Sequence, residues 1–227
     1  MNHTLHLITR EAQAIATFAA VAVKDDISPI LQAVHITVAG EVLTVQATDR
    51  YMAVRMTSRL APGELRVDGE WVVDVHDLAA HVAKQRAAKI DALAPVEITV
   101  GEPGEQMVIR SMAGTDTYPV DQRRLSYPPV GRLFPEHGFD GPFADEYLPV
   151  GYDMHLLTRL AKLRTPTDLR VKAKPAETAM YGMRFLPARQ GFSKPKPAPM
   201  YLFRQEPGGS RYGVEALIQP NTRGYDC

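Results

Sequence analysis

The chain has 227 residues, 45% hydrophobic and 23% charged, a balance that supports a buried core and excludes a disordered polymer. Lysine plus arginine and aspartate plus glutamate both total 26, so the formal charge is zero and any contact with nucleic acid requires segregated charge. The single cysteine, Cys227, excludes a disulfide framework or a cysteine metal site within the chain, and no apolar run approaches the ~20 residues of a membrane span.

The N-terminal MNHTLHLITREAQ lacks a signal-peptide pattern, so the expected location is the cytoplasm. LHLIT reads as a strand and Glu11 to Val23 as a helix, with Ile15, Phe18, Ala19 and Ala22 sharing one face. From Ile27 to Arg59 the pattern is three strands. Pro29 opens the run, Val34, Ile36 and Val38 alternate, Gly40-Glu41 supplies a turn, and Val42, Leu43 and Val45 resume. Ala47-Thr48-Asp49 leads into Tyr51 to Met56, with Asp49 read as a turn and capping carboxylate.

WVVDV is a further strand, followed by a helix to Arg86 whose buried side holds Leu78, Ala79 and Val82. Strands are expected at Val96 to Val100 and Gln106 to Met112, and Pro128-Pro129 marks a candidate domain boundary. EYLPV precedes a third helix, ending at Arg164, with Leu156, Leu157, Leu160 and Leu163 as its stripe. Strands follow at Leu169 to Lys174, Met180 to Leu186, Met200 to Arg204 and Tyr212 to Ile218, and the KPKPAP of residues 194 to 199 reads as a loop between strands. The chain thus repeats one unit three times, a strand running into an amphipathic helix and then more strands, which is an α+β pattern with helices on one face of antiparallel sheet.

No GxGxxG, GxxxxGK[ST] or GxSxG occurs, so no enzyme, cofactor or catalytic residue is expected. His76-Asp77 with His81 has some likeness to a metal motif, but positions five apart on a helix face different sides and no metal site is expected. Basic residues instead gather on the helices. His155, Arg159 and Lys162 fall at i, i+4 and i+7 opposite the leucines, with Arg164 at the helix end. His81 and Lys84 sit on the polar side of the second helix, and Arg86 and Lys89 lie toward its C-terminus. Arg10 precedes the first helix and Lys24 follows it. Such residues either complement helix dipoles or touch phosphates without reading bases.

The order of PIL at residues 29 to 31 and ATD at 47 to 49 resembles the first domain of bacterial replicative sliding clamps, the beta subunit of DNA polymerase III. EWVVDVHDLAAHVAK and GEQMVIRSMAGTDTYPV are similar to that domain's second helix and closing hairpin. YPPVGRLFP, from Tyr127, resembles a linker that opens a later clamp domain, and YGVEALIQPNT, from Tyr212, the final strand.

The resemblance implies a DNA-clamp fold with domains at 1–122 and 126–227, the second holding one clear helix and a fourth unit either shortened to strands or missing. It implies a processivity factor without catalytic activity. Its helices would line a ring around double-stranded DNA, placing Arg10, Lys24, Lys84, Arg86, Lys89, His155, Arg159, Lys162 and Arg164 in the channel. A six-domain ring would close as a homotrimer of two-domain chains, and the shortness of the chain fits a phage or other small replicon. A surface pocket for short peptides of the polymerase and clamp loader would use Pro128, Arg132, Leu133, Leu217, Gln219 and Pro220. Gln219 stands where the family commonly has methionine, which removes a flexible apolar contact. The alternative is a monomeric clamp-like interaction protein that binds replication partners without encircling DNA.

Overall fold

The computed structural model describes residues 4–22, 28–60, 67–102, 104–121, 127–134, 152–170, 182–185, 200–205 and 213–219. Strand β1 (Thr4–Ile8) runs directly into helix α1 (Thr9–Ala16). The helix begins two residues before Glu11 because its first donors find partners: Thr9 and Arg10 N–H donate to the carbonyls of Ala94 and Ala92 at 2.8 and 2.9 Å. Glu11 Oε2 in turn accepts the Ile8 N–H at 3.0 Å. Helix α1 then tightens into a 3-10 turn, Thr17–Ala20, rather than continuing to Val23.

PIL lies in a second 3-10 turn, Pro29–Gln32, and the strand begins only at Ala33, since proline fixes φ and carries no N–H for a ladder. Strands β2 (Ala33–Ala39), β3 (Val42–Thr48) and β4 (Met52–Arg59) form the expected meander. Gly40, with φ +56°, supplies the left-handed residue of the first turn. Strand β5 (Gly69–Asp74) leads into helix α2 (Val75–Ala87), where the Asp74 side chain accepts from the N–H groups of His76 and Asp77. Strands β6 (Pro95–Val100), β7 (Gln106–Ser111) and β8 (Gly114–Pro119) follow.

The second half contributes a 3-10 turn (Val130–Leu133), helices α3 (Met154–Leu160) and α4 (Pro166–Arg170), and strands β9 (Gly182–Phe185), β10 (Met200–Gln205) and β11 (Gly213–Ile218). Helix α4 occupies the start of the stretch expected as a strand from Leu169. The cause is local: Thr165 Oγ1 accepts the Asp168 N–H at 3.1 Å and Asp168 Oδ2 accepts the Thr165 N–H at 2.7 Å, a reciprocal cap with Pro166 at the first helical position. The EYLPV and KPKPAP segments lie outside the described residues.

Among the described strands all pairings are antiparallel. One sheet has the order β1-β6-β7-β8, the other β5-β2-β3-β4-β11-β10-β9. Strand β1 therefore pairs with strands of the second unit and β5 with strands of the first, so the two units interlock. The β4 to β11 pairing, from Ile218↔Met52 to Gly213↔Thr57, carries one sheet across the expected domain boundary.

Side-chain alternation gives this sheet two different faces. Met52, Val54 and Met56 of β4, Val214, Ala216 and Ile218 of β11, and Met200 and Leu202 of β10 enter the main core with Ile15, Phe18, Leu78, Val82, Leu156 and Leu160 of the helical segments. The intervening Ala53, Leu217 and Tyr201 face the other way, into a small cluster with Val130 and Phe134.

Candidate functional site

On the helix side the expected basic residues divide into three groups. Arg86, Lys89, His155 and Lys162 are exposed. Lys84 is exposed but its Nζ pairs with Asp116 Oδ1 of β8 at 2.5 Å. Arg10 and Arg164 are half-buried, because α1 packs between α2 and α4 and offers no open polar face. Lys24 lies outside the described residues.

Lys89 ends α2 in the left-handed conformation, φ +54°, where Ile90 N–H donates to the Gln85 carbonyl at 3.0 Å and Lys89 N–H to that of Arg86 at 3.1 Å. That termination ordinarily selects glycine. Arg170, exposed at the end of α4, adds a cation that went unread because its segment was expected as a strand.

Two expectations are corrected here. His81 does not lie on the polar side of α2 but is fully buried, at 0% exposure. Its Nδ1 meets Asp116 Oδ2 at 2.7 Å and its Nε2 meets Ser111 Oγ at 2.8 Å. This order has the outline of a hydrolytic triad, but Ser111 Oγ also accepts the Ala113 N–H at 3.1 Å and the imidazole is sealed beneath α2, so the group reads as a strut for the β7–β8 hairpin. The hydrogen bonds from Lys84 and then His81 hold the Asp116 carboxyl below its ordinary value.

Arg159 likewise does not stand on an open stripe. Its NH1 donates to Asp49 Oδ2 at 2.5 Å, its Nε to the Ala20 carbonyl at 2.7 Å, and its NH2 to the Val21 carbonyl. Asp49 is the turn carboxylate expected: Oδ1 accepts the N–H groups of Tyr51 and Met52 at 2.9 and 2.7 Å.

The opposite face of the seven-stranded sheet carries residues 127–134 as a strap. Tyr127 stacks on His35 at 5.4 Å between centroids and its hydroxyl donates to the Gln46 carbonyl at 3.1 Å, while burial raises its phenol pKa. Val130 and Phe134 sink into the small cluster with Ala53, Tyr201 and Leu217.

Of the expected pocket residues, Leu133 and Arg132 are exposed, Pro128 is half-buried, Leu217 is buried, Gln219 is exposed, and Pro220 lies outside the described residues. The β4–β11 seam draws Leu217 to the strap and sets Gln219 beside Tyr51, a residue that the sequence pattern does not single out. Tyr51 is 61% exposed, Leu133 is 50% exposed, and the Gln219 N–H donates to the Tyr51 carbonyl at 2.8 Å. The available signal was an aromatic directly after the Asp49 turn. No group of three or more His, Cys, Asp or Glu that could hold a metal occurs among the described residues.

Two interlocked strand-helix units, joined through β4 to a third, define a clamp-fold protein. Compared with solved structures, it is similar to the DNA polymerase III beta chain of Streptococcus pneumoniae, with a TM-score of 0.57 and 16% identity, covering 97% of this chain and 65% of that one. The beta subunit of Streptococcus pyogenes gives a TM-score of 0.54 and 17% identity over 97% and 66%. In sequence, the chain is 31% identical to the beta sliding clamp of Micrococcus luteus over 126 residues, 55% of this chain and 38% of that relative. The chain thus spans 38% of the length of the curated relative it matches. No family model matches it. The chain resembles the bacterial beta clamps in sequence as well as in fold.

Proposed function

We propose that this chain is a sliding-clamp subunit that assembles with copies of itself into a ring around double-stranded DNA and tethers a replicative polymerase. The observation that carries this reading is the two-faced sheet of seven strands, with helices on one face and the strap on the other. Exposed Arg86, Lys89, Lys162 and Arg170 supply weak phosphate contacts from the helix layer, and a closed ring needs no stronger ones, because it cannot leave DNA sideways. Lys89, exposed just past the end of α2, adds its charge to this layer. The strap face, with Tyr51, Leu133, Arg132 and Gln219 exposed, suits a short peptide that buries apolar side chains and pairs an acid with Arg132. A tethered polymerase then acts at high effective concentration at the primer end.

Ring closure requires sheet edges, and β8, with its polar and exposed GTDTYP, is a free edge among the described strands. Light-scattering mass in solution tests the ring. A trimer of the 25.1 kDa chain is expected, and retention on closed circular but not linear DNA should follow. A single copy in solution, or equal retention on both DNAs, would sink the ring. One observation favours the alternative of a monomeric partner-binding protein: the described strands after residue 127 form only one three-stranded contribution to a sheet.

A further inference from the structure

The seam that holds the strap is built on an ion pair of unusual position. Arg55 of β4 and Glu215 of β11 are register partners, on the face opposite the main core. Arg55 Nε and NH2 both reach Glu215 Oε2, at 2.8 and 2.5 Å. The other carboxylate oxygen, Oε1, accepts from the Tyr201 hydroxyl of β10 at 2.6 Å. Both charged side chains are mostly withdrawn from water, with 16% and 19% of their surface exposed. The guanidinium also lies 4.9 Å from the centroid of the Phe134 ring, and its NH1 points to the Phe134 carbonyl at 3.4 Å. One arginine thus touches both strands of the seam and the end of the strap.

We propose that Arg55, braced by Glu215 and Tyr201, is the positioning residue of the peptide-binding face: it fixes the strap so that Leu133 and Arg132 stand outward from the side of the sheet that bears Ala53 and Leu217. This rests on the reading of that face as a peptide site. The physical reason is directional. The planar fork holds Glu215 through two N–H groups while its central carbon lies over the Phe134 ring, a combination that lysine cannot reproduce. Phe134 is buried and the adjacent Leu133 exposed, so the anchor at Phe134 sets the direction of its neighbour. Tyr127 anchors the start of the strap on His35 and the Gln46 carbonyl, and Arg55 adds the directional contact at its Phe134 end.

The test compares wild-type protein with Arg55→Lys, Arg55→Gln and Glu215→Gln by two readouts. The first is amide hydrogen exchange at Val130, Arg132 and Phe134, whose N–H groups bond within the strap to the carbonyls of Pro128, Pro129 and Gly131. The second is affinity for a fluorescein-labelled decapeptide centred on Leu-Phe with an adjacent aspartate. Exchange at the three strap amides should rise at least tenfold in Arg55→Gln, with β2 and β6 amides unchanged, and peptide affinity should fall about tenfold. Arg55→Lys should recover less than half of either loss. Strap exchange within twofold of wild type in both Gln variants would overturn the proposal. Faster strap exchange with unchanged peptide affinity would overturn the link from strap to peptide. If wild type does not bind the decapeptide, the peptide-site reading fails, while the exchange result alone decides whether Arg55 positions the strap.

Discussion

Arg159 of α3 donates to Asp49 of the β3–β4 turn at 2.5 Å, and this contact joins the second half of the chain to the first. The carboxylate is 3% exposed and the guanidinium 17%, so water screens the pair little. Asp49 also holds the turn that carries Tyr51, while the same arginine satisfies the carbonyls of Ala20 and Val21 at the end of α1's 3-10 extension.

Replacing Arg159 with Met should therefore destabilise the fold by about 3 kcal/mol, because it strands a buried carboxylate and two carbonyls. Urea unfolding checks this. A loss below about 1 kcal/mol would return Arg159 to the role of a surface cation.

Charge on the helix layer has a different signature. Changing Arg86, Lys89 and Lys162 together to Ala should leave the unfolding midpoint nearly unchanged, yet flatten the plot of log affinity against log salt by about 0.9 per lost phosphate contact. Lys89→Gly separates strain from charge. It should stabilise the protein by about 1 kcal/mol, since a left-handed non-glycine residue is relieved, while lowering DNA retention. Retention equal to wild type would remove Lys89 from the interface.

Acid should weaken the β7–β8 hairpin through Asp116. Its folded-state pKa is lowered by Lys84 and then His81, so its contribution is complete above the unfolded value near 3.8 and is lost as pH falls through the lower folded value. Thermal unfolding of wild type and Asp116→Asn should show the wild type more stable at pH 7. The gap should hold down to about pH 4 and close below it. A gap independent of pH would mean that the aspartate acts by packing alone.

Leu133 and Phe134 are adjacent and should behave oppositely. Phe134→Ala should cost about 3 kcal/mol, because a buried ring is lost from the small cluster. Leu133→Ala should change stability by less than about 0.5 kcal/mol but weaken the labelled decapeptide about tenfold. Peptide affinity untouched by Leu133→Ala would move the binding face elsewhere.

Several elements were legible from local chemistry. Gly40-Glu41 placed a turn because a left-handed residue was needed there, and the alternation of Val34, Ile36 and Val38 placed β2. Asp49 was readable as a turn carboxylate from its place after Thr48. His81 and Arg159 were misread because helical spacing assigns a face only against one neighbouring layer. Here β8 covers the side of α2 that bears His81, and the β3–β4 turn reaches the side of α3 that bears Arg159. A long polar side chain at a nominally outward position found a carboxylate supplied from 30 or more residues away.

Periodicity within a dozen residues was enough to read the first two strand-helix units, the α+β class and the apolar sides of the helices. That β1 and β5 exchange sheets, that β11 pairs with β4, and that the strap lies over the seam emerge from long-range packing. Those pairings join residues 31 to 166 positions apart, and strand edges carry the same backbone N–H and C=O groups whatever their sequence. Which edges meet is set by burial of all the apolar faces together, a quantity that no single segment contains.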